Sequence, residues 1–150
     1  MERARLLFVC VENSCRSQMA EAFARMLAGD GVEASSGGSR PSGVVNPRAI
    51  ESMAELGYDL GVHRSEGLDD VSPGPFDAVV TMGCGDACPH VPARQREDWR
   101  VEDPKDLSPE EFRTVRNDIR RRVAALLAEL GVAGVAPGAR AAGAGGPPGA

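Results

Sequence analysis

A three-layer α/β/α domain on a four-stranded parallel sheet is the architecture implied by the pattern of this 150-residue chain. Short apolar runs alternate with stretches of helical periodicity, an order that pairs strands in parallel and covers both faces of the sheet with helices. The final periodicity is long, well capped and apolar along one stripe. The chain is long enough for one full core and too short for two, so residues 1–131 are assigned to a single domain.

The first strand spans residues 5–10, where Leu6-Leu7-Phe8-Val9 forms the continuous apolar run of a strand buried on both faces. A helix over 18–27 follows, with Met19, Phe23, Met26 and Leu27 on one face, and Gly29-Asp30-Gly31 ends it. Residues 32–36 make a second strand, and Ser36-Gly37-Gly38-Ser39-Arg40-Pro41 reads as loop because glycine and serine dominate it. The next helix starts at Pro47 and turns Ile50, Met53 and Ala54 inward until Gly57 stops it. A polar stretch through His63-Arg64-Ser65 leads to Leu68. Residues 76–82 are the third strand, and Gly83-Cys84 stand at its carboxyl end, where open α/β sheets place their ligands. Trp99-Arg-Val101 forms a short fourth strand that delivers Glu102-Asp103-Pro104 to the same edge. The last helix is the best marked. Ser108 caps it, Pro109 opens it, Glu111 completes a capping box, and Phe112, Val115, Ile119, Val123, Leu126 and Leu130 build its buried stripe. Beyond Gly131, alanine, glycine and proline leave too little bulk to offset the entropy of ordering, so 132–150 is expected to be a disordered tail.

The net charge of -5 offers no basic stripe to displace counterions along a phosphate backbone, which argues against nucleic acid as a partner. No apolar run approaches the about 20 residues of a membrane-spanning helix, and Met1-Glu-Arg-Ala-Arg runs into the first strand where a leader would place its apolar segment. The expected location is the cytoplasm, with the chain a monomer. Four cysteines in a reducing compartment are more often catalytic, metal-binding or buried than disulfide-bonded.

Chemistry concentrates in Cys10-Val-Glu-Asn-Ser-Cys-Arg16-Ser17, at the turn from first strand to first helix. There the amides of Val11, Glu12, Asn13, Ser14, Cys15 and Arg16 have no helical carbonyl to bind and can converge on one tetrahedral oxyanion. The Arg16 guanidinium closes that cradle with two parallel donors. Amides, helix terminus and guanidinium together favour a thiolate at Cys10, and the Ser17 hydroxyl can hydrogen-bond the sulfur in that form. The motif reads as a nucleophile aimed at a bound anion, against the plainer reading of an inert buried Cys10 beside a surface Arg16.

Taken with Gly43-Val-Val-Asn46-Pro47-Arg-Ala-Ile50, the Cys84/Cys88 pair and Asp103-Pro104, the run from Cys10 to Glu21 makes residues 4–130 resemble the low-molecular-weight protein tyrosine phosphatase fold. Within that fold the chain is most similar to the arsenate reductases. Cys10 to Glu21 looks like their anion loop and first helix, the segment from Gly43 like their second helix, and the cysteine pair like their redox segment. Two positions depart from the pattern. Glu12 stands where the family usually has glycine, so its carboxylate must point away from the anion. Only three residues separate Cys84 from Cys88, fewer than in reductases with an internal relay.

The resemblance implies reduction of arsenate to arsenite, a detoxification that confers arsenic resistance. In that reading Cys10 attacks arsenic while Arg16 and the loop amides take up charge on the equatorial oxygens. Asp103 is the general acid for the departing oxygen. Cys84 then attacks the Cys10 sulfur, and Cys88 moves the disulfide to the surface for thioredoxin. A low-molecular-weight thiol with a glutaredoxin-like partner is the other reductant known in the family. No tightly bound cofactor is implied, phosphate and sulfate are the expected analogues of arsenate, and residual phosphatase activity is implied by the shared loop. Asn13 braces the loop and, as in one reductase subgroup, joins Glu21 around a potassium ion.

Other readings stay open beside this one. A tyrosine phosphatase would hydrolyse the Cys10 adduct with water. In the related phosphatases, however, aromatics stack beside the site and succeed the Asp-Pro pair, whereas here Lys105-Asp106-Leu107 come after Pro104, and Tyr58 and Trp99 are the only Tyr and Trp. A non-catalytic anion-binding or redox-sensing module would keep the loop alone. Cys84, Cys88 and His90 would serve zinc, but a structural site wants a fourth ligand and the other histidine is His63. The plainer alternatives are buried inert thiols at Cys84 and Cys88 and a turn residue at Asp103. Cys15 is either a small core residue or a partner that caps an oxidised Cys10.

Overall fold

The computed structural model describes residues 3–71, 74–83 and 91–132. Four strands, β1 (Ala4–Cys10), β2 (Val32–Gly38), β3 (Phe76–Met82) and β4 (Ala93–Trp99), pair in parallel in the order β2-β1-β3-β4. Helices α1 (Arg16–Ala28), α2 (Pro47–Ala54) and α3 (Pro109–Glu129) complete the α/β fold expected from the sequence. The strand order reverses at β1, so the carboxyl ends of β1 and β3 bound the crevice where such sheets take their ligands. Among the described residues no helix is long and apolar enough to cross a membrane.

Successive side chains of β1 enter two different cores. Leu6, Phe8 and Cys10 join the larger one, with Met19 and Phe23 of α1, Ala49 and Met53 of α2, and Ile119, Val123 and Leu127 of α3. Leu7 and Val9 join a smaller one with Phe76 and Val79, flanked by Leu68, Val71 and Val91. Full burial of one such side chain stabilises by about 1.5–3 kcal/mol, so a slip of one residue along β1 would exchange both sets and is strongly disfavoured. The helix ends obey the sequence signals. Asn46 Oδ1 accepts from Arg48 N–H at 2.9 Å to cap α2, and the Ser108–Glu111 capping box opens α3 with hydrogen bonds of 3.1 and 3.2 Å.

Several expected boundaries move. β2 continues through Gly37 and Gly38, which pair with Val9 and Cys10 where a loop was expected. The glycines there serve a close approach: a Cβ on Gly38 would sit 2.6 Å from the Val11 carbonyl oxygen and 3.0 Å from the Asn13 nitrogen. β4 occupies 93–99 in place of the expected 99–101. Its run from Arg94 to Asp98 carries no apolar signal because an edge strand has one strand neighbour and keeps alternate side chains in water. Pairing is polar instead, with Asp98 accepting from Thr81 Oγ1 at 2.7 Å.

Helix faces also differ from expectation in places. α1 starts at Arg16, two residues early, and every residue from Ser17 to Ala24 is buried, while Met26 is exposed. Ala54 of α2 is exposed, with Ala49, Ser52 and Met53 buried instead. On α3, Val115 and Leu130 are partly buried and Arg116 is buried. The Arg116 Nη1 donates to the Ser52 carbonyl at 2.9 Å and to Glu55 Oε1 at 2.7 Å, tying α3 to α2. Hydrogen bonds from Arg113 and Arg116 lower the Glu55 carboxyl to about 2. Residues 133–150, which hold nearly all of the expected tail, lie outside the described residues.

The contact at Gly38 makes a direct prediction. Gly38→Ala should destabilise the domain by about 1–3 kcal/mol in chemical denaturation, because a methyl group there displaces the Cys10 loop from β2. A midpoint indistinguishable from wild type would show that the loop does not rest on that backbone.

Candidate active site

Cys10 ends β1 and is 3% exposed, with its Sγ 2.9 Å from Ser17 Oγ on the first turn of α1. Neighbouring groups orient the Ser17 hydroxyl. The backbone N–H of Glu66, an obligate donor, reaches Asn13 Oδ1 at 2.8 Å, so the other arm of that amide, Nδ2, donates to Ser17 Oγ at 2.8 Å. Having accepted that bond, the Ser17 hydroxyl keeps its own proton available for the Cys10 sulfur. Asn13 is fully buried and holds φ at 50°, a left-handed turn that asparagine tolerates better than bulkier residues.

Behind Asn13 the hydrogen bonds continue to the surface. Gln18 Nε2 donates to Asn13 Oδ1 at 2.9 Å, to the Asn13 carbonyl at 3.0 Å and to the Arg64 carbonyl at 2.8 Å. Gln18 Oε1 is therefore an acceptor, so the proton between it and His63, 2.9 Å away, sits on Nδ1. Burial pushes the His63 ring below its ordinary range, partly countered by Glu21. Nε2 of the neutral ring then accepts from Tyr58 OH at 2.6 Å. Sequence reasoning missed Gln18 and Tyr58 and weighed His63 only as a zinc ligand. The available signal was a polar Gln18 on a helix turn that is otherwise buried.

The loop's carbonyls face outward. Val11, Glu12 and Ser14 oxygens accept from the N–H groups of Arg40, Ser42 and Asn46 at 2.8, 3.0 and 2.8 Å. In planar trans peptides the next N–H points the opposite way, which turns the amides of Glu12, Asn13 and Cys15 to the inner side. The Glu12 side chain is exposed, as its carboxylate requires. Arg16 Nη1 donates to the Val101 carbonyl at 3.0 Å, and its Nη2 lies 3.9 Å from Asp103 Oδ2. The other Asp103 oxygen accepts from Lys105 N–H at 3.1 Å, so Asp103 caps the turn Pro104–Asp106 and also faces Arg16. Gly83, just after β3, has φ of +75°, and a Cβ there would run into Arg16 Nη1. Burial, with help from Asp103 and Cys10, pushes the Cys15 thiol up to about 12. Cys15 thus stays protonated and packs in the larger core, leaving Cys10 as the sulfur suited to attack.

The sequence profile of the low molecular weight phosphotyrosine protein phosphatases matches residues 5–135. The chain belongs to that family. Within this phosphatase family, a curated glutaredoxin arsenate reductase from Synechocystis sp. is 40% identical over 129 residues, 84% of this chain and 98% of the relative. A solved arsenate reductase in the phosphate-binding state superposes with a TM-score of 0.75 at 38% identity, covering 84% of this chain and 98% of that one. A thioredoxin-dependent arsenate reductase from Corynebacterium glutamicum has a TM-score of 0.70 at 30% identity, over 86% of this chain and 62% of that one. The resemblance and the fold expected from the sequence are both borne out.

Cys84, Cys88 and His90, candidates for relay or zinc, lie outside the described residues. His63 is engaged by Gln18 and Tyr58. The groups that the resemblance to one reductase subgroup assigns to potassium, Asn13 and Glu21, are engaged within the protein. Asn13 Oδ1 already accepts twice, while Glu21 accepts from Ser36 Oγ at 2.6 Å and pairs with the Arg25 guanidinium at 2.6 Å. Among the described residues no three His, Cys, Asp or Glu side chains cluster to hold a metal.

The hydrogen bonds around Cys10 lead to two expected outcomes. Ser17→Ala should slow iodoacetamide alkylation of Cys10 at neutral pH by about tenfold, since the donor to the sulfur is gone; an unchanged rate would remove Ser17 from the argument. A neutral His63 in the fold and a ring that titrates near about 6.5 in the unfolded chain make stability full above that pH and reduce it as pH falls. The wild type's melting-temperature margin over His63→Gln should therefore narrow on acidification from about pH 7.5 to about pH 5, and a constant margin would contradict the neutral ring.

Proposed function

We propose that this chain reduces arsenate to arsenite through the Cys10 thiolate and a thiol relay. The observation that carries the proposal is the Cys10–Ser17–Asn13 arrangement beneath inward amides and Arg16, in a chain whose relatives at about 40% identity are arsenate reductases. Cys10 attacks As(V), and Asp103 protonates the oxygen that leaves as water, giving a sulfur–arsenic adduct whose oxygens are held by the amides and Arg16. Cys84 then attacks the Cys10 sulfur. The electron pair of the breaking sulfur–arsenic bond goes to arsenic, arsenite departs, and a Cys10–Cys84 disulfide remains. Attack by Cys88 on Cys84 frees Cys10 and leaves a Cys84–Cys88 disulfide for an external dithiol to reduce.

Among the described residues, Gly83, which precedes Cys84 in sequence, lies against the Arg16 guanidinium, and this supports the reading. The aromatic side chains are committed elsewhere: Phe8, Phe23, Phe76, Phe112 and Trp99 are buried, and Tyr58 is bonded to His63. No stacking wall for a phosphotyrosine ring is offered, which favours a small inorganic anion. The relatives' names point to glutaredoxin and thioredoxin as the class of reductant, and the reducing cytoplasm is the compartment that keeps such thiols free.

Arsenate-dependent turnover coupled to thioredoxin or to a glutaredoxin with its thiol tests the scheme. Cys10→Ser should abolish turnover, Cys84→Ser should accumulate the arsenic adduct, and Cys88→Ser should allow one turnover and then stop. Full multiple turnover by Cys88→Ser would eliminate the second relay step. A wild type that hydrolyses phosphomonoesters but consumes no reductant with arsenate would overturn the reductase reading in favour of a phosphatase.

A further inference from the structure

Asp103 lies on a turn whose position is held from two sides by arginines. Arg16 reaches the Val101 carbonyl from the anion loop, but its guanidinium is also the group that must meet the oxyanion. Arg48, on the first turn of α2, faces the other flank. Its Nη1 donates to the Lys105 carbonyl at 2.6 Å and, at 3.4 Å, to the Pro104 carbonyl. The guanidinium carbon stands 4.9 Å from the centroid of the Phe112 ring, which is buried in the first turn of α3. That contact holds the guanidinium over the ring, and the Asn46 cap on the Arg48 N–H holds its backbone.

We infer that Arg48 is a positioning residue for the general acid: it clamps the Pro104–Asp106 turn so that the Asp103 carboxyl stays over the anion loop. The inference rests on the reductase reading above for the role of Asp103. Lys105 is held at both its backbone polar groups, the N–H by Asp103 Oδ1 and the carbonyl by Arg48, so the carboxyl is coupled to α2 through a single residue. The turn adds one bond of its own, from Leu107 N–H to the Pro104 carbonyl at 3.0 Å. Without Arg48 those carbonyls would hydrogen-bond water and the turn would sample positions in which Asp103 no longer reaches the leaving oxygen. Arg48 Nη1 donates to backbone carbonyls and its charge reaches the anion loop only at longer range, so its removal should impair protonation far more than anion affinity. A lysine would supply the charge but not a flat group that can stack on Phe112 while reaching the turn.

The test uses the full chain in four forms beside wild type: Arg48→Met, Arg48→Lys, Asp103→Asn, and Arg48→Met with Asp103→Asn. Arg48→Met should lower kcat for arsenate by about 10- to 100-fold with KM within about twofold, and Arg48→Lys should recover part of the loss. In the Asp103→Asn background the Arg48 change should cost less than about twofold, because there is no acid left to position. Hydrogen exchange should quicken at the Lys105 and Leu107 amides in Arg48→Met, with the rest of the fold unchanged. Equal losses in both backgrounds, a raised KM with unchanged kcat, or unaltered exchange would overturn the clamp. Faster exchange in a protein that shows no arsenate turnover even as wild type would support the clamp while sinking the reductase reading.

Discussion

The hydrogen bond from Ser17 to the Cys10 sulfur is the interaction on which this site depends. Cys10 is buried, and an ionised group removed from water costs several kcal/mol unless donors replace its solvent. One hydrogen bond to a charged group returns about 1.5–3 kcal/mol, so a single hydroxyl is not enough. The inward amides of the loop must supply the remainder, and they face inward because segment 40–46 takes the carbonyls on the outside. Asn13 donates to the Ser17 oxygen and so orients its hydroxyl beside the sulfur, and Asn13 is aimed by the fixed N–H of Glu66. The surroundings of one sulfur are thus set by residues drawn from three separate stretches of the chain.

What the sequence made legible was local. β1 and β3 are continuous apolar runs, and the Ser108–Glu111 cap is written within four residues, so pattern and structure agree there. The nucleophile loop was legible for the same reason, since Cys10, Arg16 and Ser17 lie within one short run. Features set by distant neighbours were not. Gly37 and Gly38 belong to a strand because another segment must come close to them, and β4 is charged because it forms an edge. Within the site, Gln18, His63, Tyr58 and Arg48 have no mutual spacing that signals contact. Arg48 meets Lys105 57 residues away, and Arg16 meets Val101 85 residues away.

The family contains enzymes that share an anion loop but differ in the fate of the adduct formed by the first attack. Nothing in the loop itself separates hydrolysis from reduction, since both begin with the same sulfur and the same donors. On the function proposed above, the separation lies outside it, in the absence of an aromatic wall and in the cysteines that follow β3 in sequence. The aromatic residues of this chain are spent on packing, as in the tilted contact of Phe8 with Trp99 at 6.1 Å. A site with flat walls selects a flat leaving group. This one is shaped for a compact tetrahedron.

Gly83 joins β3 to the stretch that begins with Cys84, and its bare α-carbon is what lets the Arg16 guanidinium lie where it does. A resolving thiol gained at this junction would be joined directly to Gly83, the residue that makes room for the grip of that guanidinium. The linking position cannot then be decorated without evicting the grip.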